Sequence, residues 1–225
     1  VTLLIDNSGS MSAQITELYT RFPNFIASLG TLDWQICVTT TDHDKSYDGT
    51  KGGLRNFPNG QEFINSSTPN AQQEFAGLLQ GLIGVSASGD ERGILSINKF
   101  LSRADSRNCL RQGASFHTIV LSDEDERSTG GVKGSKQYRE LEPLDEPDSV
   151  FTTLSSLAAT IGTKVYSHHS IIIQPNDTAC FNTQDAEAEA FYGRHYFNLS
   201  AQTKGIQGTI CSSNYTAQLN NIAAN

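Results

Sequence analysis

The sequence lacks several features that would assign a class at once. Its apolar runs fall short of the ~20 residues that cross a membrane, so we expect no transmembrane segment in this chain. It also lacks a G-x-S-x-G motif and any C-x-x-C pair, which disfavours a serine hydrolase and a zinc or redox site. Lys and Arg number only 16 against 24 Asp and Glu. Because phosphate binding needs clustered basic side chains, the sequence argues against nucleic acid as a partner.

Cysteine is scarce, with four in 225 residues. Cys180 and Cys211 flank a polar C-terminal segment, and we predict a disulfide between them and therefore an oxidising, extracytoplasmic compartment. Cys37 lies within an apolar strand and is predicted to be a buried free thiol, whereas Cys109 has no obvious partner. Because Val1 opens directly into a strand with no leader before it, we expect an excised domain or a mature fragment.

Short apolar runs alternate between the spacing of strands and the spacing of helices. Strands are predicted at 2–6, 34–40, 54–57 (an edge strand), 116–122, 164–173 and 195–199. Helical spacing follows the first strand and recurs at 75–83, 94–101, 149–161, 186–192 and from about residue 215. This alternation predicts an α/β fold with a doubly wound, mostly parallel central sheet flanked by helices on both faces. The length fits one domain, residues 1–225.

Two local features carry their own expectations. Pro23 falls inside the first helix and should bend or break it. His168 and His169 are adjacent in a strand, so their side chains point to opposite faces and do not easily share one metal. We expect one buried, hydrogen-bonded histidine beside an exposed one.

Oxygen-bearing side chains follow the first strand in the segment Asp6-Asn-Ser8-Gly-Ser10. Parallel sheets place their ligands at the carboxyl ends of strands, and carboxylate and hydroxyl oxygens suit a hard cation such as Mg²⁺ or Ca²⁺. An alternative is that Ser8 or Ser10 merely caps the next helix.

A second acidic segment, Asp123-Glu-Asp-Glu126, directly follows the apolar run 116–122. A solvated charged loop is the ordinary explanation of such a run. Its position after a buried strand favours a metal role for Asp123, with Glu124, Asp125 and Glu126 as outer-shell or surface charges.

These segments resemble a von Willebrand factor type A domain, whose D-x-S-x-S loop opens a metal-ion-dependent adhesion site. Further similar pieces are Thr40-Thr41-Asp42, the Glu91-x-Gly93 helix start and the Tyr192–Tyr196 run between two cysteines. Many type A domains have a Thr in the second loop. Here Glu91 resembles the glutamate of integrin β subunits and of bacterial secreted type A domains, with Asp90 as the reserve. Either acid can instead simply favour a helix N-terminus.

The resemblance implies a binding module without enzymatic activity, extracytoplasmic and bacterial. One Mg²⁺, with Ca²⁺ and Mn²⁺ as alternatives, would be held by Asp6, Ser8, Ser10, Glu91 and Asp123. A carboxylate of a protein or other macromolecular partner would complete the coordination. Asp42, Asp90 and Asp125 are further candidates for ligand contact, and loops 41–60 and 128–148 would supply specificity.

Two alternatives stay open. A metal-dependent phosphatase or hydrolase could use Asp6 as nucleophile or base, although it needs a second acid or histidine within reach. The metal site could also be silent, in a domain that serves assembly alone.

Overall fold

The fold is described from a computed structural model, which covers residues 1–43, 50–85, 87, 89–128 and 139–224. Parts of the two predicted specificity loops, 44–49 and 129–138, lie outside these described residues, as do Ser86 and Ser88 in the segment before Asp90 and Glu91.

Strands and helices alternate along most of the chain. The described residues form six strands, which are β1 (Thr2–Ile5), β2 (Gln35–Thr40), β3 (Ile64–Asn65), β4 (Phe116–Leu121), β5 (Tyr166–Ile172) and β6 (Gln207–Thr209). The α-helices of the described residues are α1 (Ser12–Ser28), α2 (Ala71–Gln80), α3 (Gly93–Ser102), α4 (Pro147–Ile161), α5 (Thr178–Glu187), α6 (Arg194–Gln202) and α7 (Thr216–Ala224). No helix among the described residues is long and apolar enough to span a membrane.

The strands form one sheet in the order β3-β2-β1-β4-β5-β6. All neighbouring pairs are parallel except β2 with β3, which is antiparallel. The predicted mixed α/β fold with a mostly parallel sheet and flanking helices is therefore confirmed. The parallel order places the carboxyl ends of β1 and β4 side by side, because these two strands are hydrogen-bonded neighbours.

Alternate residues of the central strands enter two different hydrophobic clusters. Leu3 and Ile5 join a cluster with the apolar faces of α1, α2 and α7, whereas Leu4 joins a cluster with α3, α4 and α6. Since successive side chains of a strand point to opposite faces, helices cover both sides of β1. This double cover explains why its four residues are all buried.

Several local predictions were wrong. Residues 195–199 lie in helix α6, because Tyr196, Leu199 and Ser200 are buried at helical spacing. The predicted edge strand at 54–57 is not a strand, and the edge is formed by β3 instead. Strand β6 was missed because it is only three residues long and largely polar.

Proline and histidine also behave differently from expectation. Pro23 does not break α1, which continues from Ser12 to Ser28. Phe22 and Phe25 on either side of it are buried, and this packing offsets the roughly 3 kcal/mol that an internal proline costs. His168 and His169 are both buried, so the prediction of one exposed histidine was wrong.

Both cysteine pairs form disulfides. The predicted Cys180–Cys211 bridge is confirmed, with its Cα atoms 5.6 Å apart. Cys37 and Cys109 are joined by a second bridge across 72 residues of sequence, so the predicted free thiol at Cys37 was wrong. The pairing depends on bringing β2 next to the turn before β4, which spacing in the sequence does not reveal. Two disulfides favour an oxidising compartment.

Candidate functional site

Asp6 joins the loop after β1 to the loop after β4. Its backbone N–H donates to the carbonyl of Leu121 at 3.0 Å, which extends the β1–β4 pairing by one residue. Its side chain is fully buried. One carboxylate oxygen accepts from the Ser8 backbone N–H at 2.9 Å, and the other accepts from the Ser122 hydroxyl at 2.6 Å. The carboxylate is therefore fixed between the two loops.

The two serine hydroxyls extend this chain of oxygens. Ser8 Oγ and Ser10 Oγ are 3.0 Å apart, and Ser10 Oγ donates to Asp123 Oδ1 at 3.2 Å. Neither hydroxyl caps a helix, since the N-terminus of α1 and the short 3₁₀ turn before it have no side-chain cap. The capping alternative is thus not what the structure shows. The loops after β1 and β4 meet through Asp6, Ser8, Ser10 and Asp123.

Glu91 approaches the same region from a third segment. It pairs with Asp42 in an isolated antiparallel bridge and is fully buried. Thr41 Oγ1 donates to Glu91 Oε2, whereas Glu91 Oε1 is buried without a hydrogen-bond partner among the described residues. A buried carboxylate oxygen with no partner costs about 1–3 kcal/mol or more, so this atom calls for a ligand that the described residues do not provide.

The acids of these loops repel one another. Burial first, and then the nearby Asp6 carboxylate, raises the pKa of Asp123 to about 7. Burial also raises the pKa of Asp6, with Asp42 adding to it. The pKa of Glu91 is raised well above its ordinary value by burial and by Asp6, Glu124 and Asp42. Negative charge is concentrated here in a poorly solvated place.

No basic side chain of the described residues neutralises this group. Within the described part of the chain, Asp6, Glu91 and Asp123 form no ion pair with Lys, Arg or His. Protons or a bound cation would balance the charge that the described residues leave uncompensated. The donor set of carboxylates and hydroxyls, and the unpartnered Glu91 Oε1, fit a hard divalent cation.

This fit has a limit. Among the described residues, no three His, Cys, Asp or Glu side chains gather closely enough to hold a metal ion between them. A cation here would need the serine hydroxyls, water or a partner as ligands in addition to the acids.

The other candidate residues have different environments. Asp90 forms ion pairs with Arg127 at 3.2 Å and with Arg139 at 3.4 Å. Asp125 accepts hydrogen bonds from the backbone N–H and from Nδ1 of His195. Asp42 is fully buried beside Glu91. Neither Asp90 nor Glu91 lies in the first turn of α3, which begins at Gly93, so the helix-dipole alternative is not supported.

The acidic run after β4 is not a surface loop. Glu124, Asp125 and Glu126 are all buried, so they are not surface charges, and an outer-shell role stays a prediction. Sequence reasoning also missed Thr41 and Ser122, the hydroxyl donors to Glu91 and Asp6. Their only signal was position, because each stands next to the end of a predicted strand.

Comparison with known proteins adds to the fold and not to the chemistry. No protein-family model and no curated protein sequence matches this chain. Among solved structures, it is similar to a crystal structure of the pilus adhesin SpaC from Lactobacillus rhamnosus GG, with a TM-score of 0.52 and 14% identity, over 99% of this chain and 30% of that one. For the open conformation of the same adhesin, the TM-score is 0.48 and the sequence identity is 11%, over 99% of this chain and 29% of that one. The chain therefore spans less than a third of that adhesin's length.

Proposed function

We propose that this chain is a single von Willebrand factor type A domain that acts as an extracytoplasmic, metal-dependent adhesion module. In this proposal Asp6, Ser8, Ser10, Glu91 and Asp123 hold one Mg²⁺, with Ca²⁺ and Mn²⁺ as alternatives. When bound, the cation would offer a coordination position to an acidic group of a macromolecular partner.

The observation that carries the proposal is the meeting of three separate loops around charge that nothing in the described chain balances. Ser10 and Asp123 are hydrogen-bonded although 113 residues separate them, and Glu91 leaves one buried oxygen without a partner. A dication would satisfy that oxygen and would offset the burial and the mutual repulsion that together raise the pKa of these acids.

The sheet topology supports the same location. The strand order runs outward from β1 in one direction and from β4 in the other, which agrees with the doubly wound arrangement proposed for type A domains. Such sheets bind ligands at the point where the order reverses, beyond the carboxyl ends of the strands. Asp6 and Asp123 follow the two strands that flank this point.

The hydrolase alternative finds less support. A nucleophilic or basic carboxylate needs a free oxygen that faces its substrate. Both oxygens of Asp6 already accept hydrogen bonds, and the residue has no exposed surface. We therefore propose a binding role without catalysis.

Calorimetric titration with Mg²⁺, Ca²⁺ and Mn²⁺ tests the metal. Wild type should bind one cation, and Asp6→Asn and Asp123→Ala should each lose most of that affinity because each removes a negative oxygen donor. Asp105→Asn is the matched control, since Asp105 is exposed and pairs with Arg103. Equal affinity in all four proteins would refute the proposed site.

Partner binding requires a separate experiment. Adhesion to immobilised candidate macromolecules should disappear in EDTA and return when Mg²⁺ or Mn²⁺ is added. If Asp6→Ala loses the metal but keeps adhesion, the site is silent and the domain serves assembly instead.

A further inference from the structure

We infer that Glu126 is a positioning residue for this site, because it fixes the start of α3 and thereby holds Glu91 towards Asp6. The inference rests on the proposed function. Glu126 comes from the loop after β4, and its two carboxylate oxygens accept from the backbone N–H groups of Ile94 at 2.7 Å and Leu95 at 3.0 Å. Glu126 is fully buried, so these bonds are shielded from water.

Helix α3 has no cap of its own. The residue before it, Arg92, makes no side-chain capping bond. The first N–H groups of a helix need partners, and here all three come from outside the helix. Glu126 takes two, and the Tyr196 hydroxyl of α6 accepts the third, from Gly93, at 3.1 Å. A Cβ at Gly93 would lie 2.9 Å from the Tyr196 ring, which explains the glycine.

The loop after β4 also forms a hydrogen bond with the backbone of Glu91. The N–H of Arg127 donates to the Glu91 carbonyl at 2.5 Å. Arg127 adopts φ of +53°, an unusual conformation for a residue other than glycine. Residues 126 and 127 therefore bind the chain on both sides of Arg92. The backbone of Glu91 is therefore held in place, and its side chain is fixed further by the hydrogen bond from Thr41.

These contacts give separate roles to the acids of the segment 123–126. Asp123 contacts Ser10 in the site, whereas Glu126 binds the first N–H groups of α3 behind Glu91 and also hydrogen-bonds with the Asp145 side chain. Asp125 plays a similar part for α6, where it binds the backbone N–H of His195 at 2.9 Å. Burial and the nearby Asp145 raise the pKa of Glu126 well above its ordinary value, and the hydrogen bonds from the Ile94 and Leu95 N–H groups act in the opposite direction.

A double-mutant cycle tests whether Glu126 acts through Glu91. Mn²⁺ affinity is measured by calorimetry for wild type, Glu126→Gln, Glu91→Gln and the double variant. We expect Glu126→Gln to weaken binding roughly tenfold, as the loss of a residue that orients a ligand typically does. In the Glu91→Gln background the same change should have little further effect.

A control in the same helix separates positioning from general destabilisation. Asn98 lies later in α3, and its amide donates to the Leu144 carbonyl and to Ser149 Oγ. Asn98→Ala should lower thermal stability and leave Mn²⁺ affinity within about twofold of wild type. Hydrogen exchange gives a readout that needs no metal. The Ile94 and Leu95 amides should exchange faster in Glu126→Gln than in wild type.

The outcomes distinguish the two claims. Asp6-dependent Mn²⁺ binding that is unchanged by Glu126→Gln, or additive losses in the cycle, would overturn the inference and leave the proposed function standing. If wild type shows no Asp6-dependent Mn²⁺ binding, the proposed function fails and the positioning role fails with it, even where amide exchange shows that Glu126 caps α3.

Discussion

Two groups of acids lie close together in this protein and differ in whether arginine neutralises them. We call them the matched group, which is paired with arginine, and the unmatched group, which is not. Asp90, Glu142 and Asp145 are matched by Arg92 and Arg127, with nitrogen-to-oxygen distances of 2.8–3.2 Å. Asp6, Glu91 and Asp123 have no such partner within the described residues. The pKa of Glu142 is lowered by its hydrogen bond with Arg92, whereas burial raises the pKa of Asp123.

The difference separates acids that arginine stabilises from the acids for which we propose a binding role. A nearby arginine stabilises the ionised form of a carboxylate. A buried carboxylate without such a partner destabilises the folded state unless a proton or a cation neutralises it. The folded protein keeps these unpaired carboxylates beyond the carboxyl ends of β1 and β4, and a bound cation would remove their cost in free energy. We expect the two groups to respond differently to mutation.

The largest effect should come from removing an arginine of the matched group. Arg92 binds the fully buried Asp145 through Nε at 3.0 Å and Nη2 at 2.8 Å. Arg92→Ala would leave this charge unpaired, which costs about 3–5 kcal/mol for buried pairs. Urea denaturation measures the loss. Asp145→Asn in the same background should recover part of it, and a loss under about 1 kcal/mol would contradict the comparison.

The unmatched group should respond in the opposite direction. Asp123→Asn keeps an oxygen that accepts from Ser10 but removes one repelling charge. In EDTA at pH 8 we expect it to stabilise the protein by about 2 kcal/mol, as measured by urea denaturation. In excess Mg²⁺ wild type should be the more stable protein. Stabilisation by Mg²⁺ that is equal in both proteins would show that Asp123 is not a ligand.

The two buried histidines, His168 and His169, should make the stability of the protein depend on pH. Burial lowers the pKa of His168 to about 3 and of His169 to about 4, and unfolded histidines titrate near 6.5. As the pH falls below 6.5, unfolded histidines bind protons that these two folded histidines do not, so their contribution to stability decreases. Asp123 contributes in the opposite direction over the same range, because its folded pKa is raised to about 7. We expect a loss of about 1 kcal/mol per histidine between pH 7 and 5.5.

Urea denaturation at several pH values measures this slope. His169→Gln should reduce the slope as well as the stability itself, because one titrating group is gone. A slope that is unchanged in His169→Gln would mean that another group controls acid stability in this range.

The smallest effect is expected at the exposed end of the matched group. The Glu142 side chain is 58% exposed although it contacts both arginines. Because exposed ion pairs contribute about 0–1 kcal/mol, Glu142→Gln should change the free energy of unfolding by less than about 0.5 kcal/mol at moderate salt. A larger loss would show that the arginine network is cooperative.

Sequence patterns predicted the elements whose burial follows a simple period. Strands β1, β2, β4 and β5 and helices α2, α3 and α4 were located within a few residues, since each has an apolar run or stripe that local spacing reveals. Patterns failed where burial was shared with polar groups. Helix α6 carries His195 and Tyr196, both bound to groups far away in sequence, and its spacing was mistaken for a strand.

In the candidate site, sequence patterns predicted the residues at strand ends but not the residues that support them. Asp6, Ser8, Ser10 and Asp123 were proposed together because each follows the end of a predicted parallel strand, and hydrogen bonds now link them. Sequence reasoning did not find the supporting roles of Thr41, Ser122 and Glu126. Their roles depend on which backbone and side-chain groups lie opposite them, and that information is not local.

The sequence by itself determined the alternation of strands and helices, the excess of acidic residues and the two loops richest in oxygen donors. Only the tertiary structure decided which acids are paired with arginine, which are left without a countercharge, and which of them caps a helix from another segment. The physical reason is that period and composition act through neighbours in sequence. Charge compensation and capping act through distance in space, and here they join residues that are tens to more than a hundred positions apart.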